Sequence, residues 1–75
     1  MTKNERRELD KARALVRADY CDMAARTIAI VYRSARKGST QAAALALAVE
    51  LGLADRVTMY NGCLAHVADV PAVRS

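Results

Sequence analysis

Apolar residues recur at helical spacing from about Asn4 to Lys37, a stretch that contains neither Gly nor Pro. Leu9, Ala12, Val16, Tyr20, Met23, Thr27, Ile30 and Val31 fall on one arc of such a helix. Within that arc Leu9, Val16, Met23 and Ile30 repeat at heptad spacing, a coiled-coil-like seam. From Cys21 onward Ala24, Ile28, Tyr32 and Ala35 add a second apolar flank, so the second half is wrapped on two sides and the first half on one. The pattern predicts a single helix over residues 4–37, roughly 50 Å long at about 1.5 Å per residue. Asp19 and Asp22 offer an alternative, since an Asp can cap a new helix and 19–22 could be a joint. The absence of Gly and Pro, and the placing of Asp22 and Arg26 as an i,i+4 pair, favour continuity.

Lys37-Gly38 then supplies a stop with a left-handed Gly cap, and Ser39 or Thr40 the next N-cap, for a second helix over 40–51. Only Gln41 and Glu50 are polar within it, so Ala44, Leu45, Leu47, Ala48 and Leu51 predict a helix enclosed on nearly every side. Gly52 with Leu53 reads as a C-terminal cap with its hydrophobic contact, and Asp55 as the N-cap of a third helix. Val57, Tyr60, Leu64 and Val67 have helical spacing over 56–67, while Asn61-Gly62 is also a two-residue hairpin turn. An isolated two-stranded hairpin is marginal in water, so the helix is the expected form. Pro71 ends regular structure and leaves a tail, 71–75.

These elements predict one all-α domain, residues 1–75, with one long N-terminal helix followed by a short helical hairpin. The two later helices would each be only about 15 to 20 Å long, too short to cover the first. The uncovered half carries the apolar seam. A dimeric helical bundle follows, a homodimer paired across Leu9, Val16, Tyr20 and Met23, with the later helices folded onto Ile28, Val31, Tyr32 and Ala35. A chain this small buries only about 60% of the surface its unfolded form exposes, and association is a common remedy.

Composition sharpens the packing. There is no Trp or Phe, three residues are Tyr and sixteen are Ala, so the core is built from small aliphatic side chains at close helix distances. The formal charge of +4 divides as +3 over residues 1–18, +2 over 19–37 and −1 over 38–75, which assigns the positive charge to the first helix. Arg6, Arg13 and Arg17 lie beside the seam, as do Arg26 and Arg33 further on, and with Tyr20 they are candidate contacts to a partner's acids. The competing expectation is that they snorkel or form weak local pairs such as Arg6 with Asp10. Residues 1–10 are charged and carry no apolar core of a signal peptide, and the longest apolar run, 42–49, is too short to span a bilayer, so a cytoplasmic location without membrane contact is expected. Cys21 and Cys63 lack Cys-x-x-Cys spacing and read as small hydrophobes, not as a disulfide.

Candidate chemistry is sparse. On a helix Cys63 and His66 would face the same way and offer zinc two ligands, with Cys21 a third, but a structural zinc site needs a fourth. Lys37-Gly38-Ser39-Thr40 looks like the end of a phosphate loop without its leading Gly and its strand. No metal, no cofactor and no catalysis are expected. Ala48, Leu51, Gly52 and Leu53 match the first half of a helix-turn-helix over residues 44–63, but the second half has Thr58 and Asn61 at its apolar positions and Arg56 as its one cation. A DNA-binding transcriptional regulator is therefore the alternative. The leading expectation is a small non-enzymatic regulator or inhibitor that binds a larger protein. Size and an Ala- and Arg-rich composition suit a phage- or prophage-encoded protein that obstructs a host factor.

Overall fold

In a computed structural model that describes residues 1–71, the 4–37 region is two helices. The first, α1, spans Lys3–Arg17 and the second, α2, spans Cys21–Ser34. Thr2 caps α1 in a reciprocal box: its hydroxyl accepts from the Glu5 N–H and the Glu5 carboxylate accepts from the Thr2 N–H. At the other end the Tyr20 N–H donates to the Leu15 carbonyl and the Asp19 N–H to that of Val16. That is a Schellman cap, with Asp19 at φ 69° in the left-handed position where Gly is usual. A single Asp tolerates this conformation at a cost of about 1 kcal/mol. The long helix expected over 4–37 is thus overturned. The stop has no Gly to announce it, and Asp19 ends α1 by its own backbone instead of starting α2 with its side chain.

The chain reverses over Ala18–Tyr20, and α2 folds back along α1. Leu9 and Ala12 of α1 and Ala24, Ala25, Ile28, Ala29 and Val31 of α2 are buried in one cluster. After an extended link beginning at Ala35, Gly38–Glu50 forms α3, whose Thr40, Ala44, Leu47 and Ala48 are buried. Gly38 is the first residue of α3, and the left-handed glycines are Gly52 and Gly62, so the cap expected at Gly38 is absent. The cap expected at Gly52 is present: the Leu53 N–H bonds the Ala48 carbonyl, Gly52 sits at φ 72°, and Leu53 is buried in the core.

The third helix expected over 56–67 is a hairpin. After a 3-10 turn, Ala54–Arg56, strands β1 (Val57–Tyr60) and β2 (Cys63–His66) pair antiparallel with Val57 opposite His66 and Tyr60 opposite Cys63. Asn61 at φ 53° and Gly62 at φ 77° make the two-residue turn, in the form that matches strand twist. The hairpin is not isolated: β2 lies on α2, with Leu64 and His66 buried, and this contact removes the marginality that favoured a helix. The protein is therefore three helices with a small two-stranded sheet, not all-α, and not a long helix with a helical hairpin. A second 3-10 turn, Val67–Asp69, precedes Pro71, and the rest of the tail expected over 71–75 lies outside the described residues.

The molecule measures 37 × 29 × 16 Å. α3 packs chiefly on α2 and barely meets α1, so no other described element covers its far side. The enclosed helix expected at 40–51 lies instead at the edge of the molecule, with Ala42, Leu45, Ala46 and Val49 exposed.

Candidate functional site

Separate helices redistribute the residues of the expected seam. Leu9 is buried in the protein's own core and Val16 packs against it, whereas Tyr20 and Met23 face solvent at 56% and 52% exposure. No continuous line joins the four. Ile30, one heptad beyond Met23, is 59% exposed, and with Met23 and half-buried Thr27 it forms a row on the outer face of α2, which exposed Tyr20 immediately precedes.

The arginines divide in the same way. Arg13 pairs with Glu50 and ties α1 to α3, and Arg26 reaches Asp69 at 3.4 Å, both on the surface where such pairs contribute little. Arg6, Arg17 and Arg33 form no ion pair among the described residues, so the Arg6–Asp10 pair is not made. Arg33 stands beside Ile30 on the rim of a shallow groove of about 180 Å³, closed on its other side by His66 and Asp69. The outer face of α2 therefore combines an apolar row with a basic border. A larger cavity, about 410 Å³, lies where the start of α1 meets the α2–α3 link. Its carboxylate, Glu5, is engaged in the Thr2 box, and no nucleophile in its lining is paired with a base.

Asp22 does not pair with Arg26. It stands in the first turn of α2, where a carboxylate suits the helix dipole, and its Oδ1 accepts from Arg56 Nη1 at 2.8 Å. The same oxygen lies 2.9 Å from His66 Nε2. His66 is only 5% exposed, and its Nδ1 accepts the Ala68 N–H at 3.0 Å. The neutral ring with its proton on Nε2 satisfies both bonds, so neither nitrogen keeps a lone pair for a proton transfer or a metal. On a strand, residues three apart point to opposite faces, which separates Cys63 from His66, and the shared-face pair expected for zinc is not formed. Among the described residues no three His, Cys, Asp or Glu side chains gather as a metal site, and both cysteines are free thiols. No sequence signal marks the Asp22–Arg56–His66 cluster, because its members come from distant segments.

The hydrogen bond from His66, then that from Arg56, holds the Asp22 carboxyl below its ordinary range. A depressed folded pKa gives a stabilising contribution that is whole above the unfolded value of about 3.9 and is lost as pH falls through the folded value. Urea midpoints should therefore drop on acidification below about pH 4, and Asp22→Asn should flatten that part of the profile. An equally steep acid limb in the variant would mean that other carboxylates govern it.

The second helix of a helix-turn-helix over 44–63 is replaced by the 3-10 turn and β1, so no reading helix exists there. Among the described residues no helix is long and apolar enough to cross a membrane. Neither a protein-family model, a curated protein nor a solved structure matches this chain.

Proposed function

We propose that this chain is a small non-enzymatic regulator or inhibitor that binds a larger protein through the outer face of α2. The observation that carries this reading is the exposed side chains of Tyr20, Met23 and Ile30, with Arg33, which forms no ion pair among the described residues, at their edge. Large apolar side chains in a contiguous row on a small protein mark a contact surface. Tyr, Met and Arg are the residue types enriched in such surfaces. The basic border selects a partner with acids around an apolar patch, and steers its approach. Of the expected contacts, Arg26, Arg33 and Tyr20 belong to this face. Arg6 and Arg17 lie on α1, and Arg13 is occupied by Glu50.

The test is retention of protein from a nuclease-treated lysate of the expressing cells by the wild-type chain, by Ile30→Asp with Arg33→Glu, and by Lys11→Glu, an exposed change on α1. A discrete protein held by wild type and Lys11→Glu but lost from the double variant supports the reading. Retention that ignores the α2 changes, or that disappears with nuclease treatment, defeats it.

A further inference from the structure

The far side of α3 presents Ala42, Leu45, Ala46 and Val49 at i, i+3, i+4 and i+7, with Leu45 38% and Val49 68% exposed and no charge on the row. Polarity is confined to the two ends. The N-terminal end carries exposed Arg36 and Lys37, no acid in its first turn and no side-chain cap on its N–H groups. The C-terminal end carries Glu50 and no base in its last turn. Each end lacks the charge that would offset its helix dipole, and each has the charge that would offset the other's.

We infer that this face is covered by α3 of a second copy of the chain, running antiparallel about a two-fold axis beside Leu45. The arrangement is isologous, so one row must complement itself. Leu45 then meets Leu45 of the second copy at the axis, and Ala42, on the same side of the helix as Val49, receives Val49 of the second copy, a small residue facing a large one. The same rotation carries Glu50 to the first turn of the opposite α3, level with Gln41, where the N–H groups have no side-chain cap. Arg13 bonds the Oε2 atom of Glu50 within the chain, which leaves Oε1 to the second copy. A parallel pairing would instead set Arg36 and Lys37 against their own copies. Charge also separates this face from that of α2: two-fold pairing there would bring Arg33 of both copies to a surface whose acids, Asp22 and Asp69, are already engaged by Arg56, His66 and Arg26. The α3 face thus suits a second copy, and the α2 face a partner of opposite charge.

Sedimentation of the purified chain over a wide concentration range reads the association without any partner protein, so its outcome is independent of the α2 reading. Wild type should approach twice the chain mass as concentration rises, and Val49→Asp should remain at the single-chain mass with an unchanged far-UV spectrum. Orientation is read by oxidative trapping, with the unsubstituted chain as control for Cys21 and Cys63. Ala42→Cys mixed with Val49→Cys should cross-link, and neither should cross-link alone. A wild-type chain that stays at the single-chain mass throughout, a Val49→Asp variant that still doubles, or Ala42→Cys cross-linking to itself would overturn the inference.

Discussion

Ile28→Ala should lower unfolding stability by about 2–5 kcal/mol, the range for truncating a large buried aliphatic side chain. Ile28 is fully buried at the middle of α2, and α2 is the element that α1, α3 and β2 all pack against. With no Phe or Trp in the chain, it is one of the few large side chains there, surrounded largely by alanines that cannot grow into the space it leaves. A chain of 75 residues has on the order of 4–11 kcal/mol to lose, so the variant should give up a large share of its stability and unfold at a clearly lower urea concentration. Urea titration followed by far-UV circular dichroism measures this. A loss below about 1 kcal/mol would mean that α2 is not central to the fold.

The opposite change should also be damaging. Ala44 is fully buried on the side of α3 that packs on α2, and Ala12, Ala24 and Ala25 are equally enclosed. Small side chains at these positions let the helices lie close, and the dispersion contacts of that approach substitute for the bulk of missing aromatics. Ala44→Leu must lift α3 away from α2, at a cost of about 1–3 kcal/mol, which for a domain of this size lowers the melting temperature by roughly 4–8 °C per kcal/mol. Calorimetry reads this directly. A neutral or stabilising result would show that space exists beside Ala44 and that the helices are not in close contact.

The sequence reveals faces more readily than ends. Periodicity places Leu9, Ala12, Ala24, Ile28 and Val31 on apolar arcs, and all are buried, but the same arc holds Tyr20, Met23 and Ile30, which face solvent. It identifies Gly52 as a helix stop because glycine is the usual residue for a left-handed cap. The stop at Asp19 uses the same hydrogen bonds with a residue that gives no such signal, and the helical period runs through the joint almost unbroken. The seam is a product of that continuity: two helices that fold back on each other can share a phase in sequence while their apolar rows face different ways. Asn61-Gly62 does announce the hairpin. What sequence withholds is the surface on which β2 rests, and without α2 beneath it the strand has no reason to be preferred. The outer row of α3 was visible as composition but not as exposure, since an almost wholly apolar helix looks interior until its neighbours are placed.

The bonds from Asp22 to Arg56 and His66 join residues 34 and 44 positions apart, whereas α1 and α2 meet across a three-residue reversal. Local contacts of the second kind form early, and distant ones must first close a long loop. The side of α2 that holds the core is therefore expected to close last, when β2 brings Leu64 and His66 onto it.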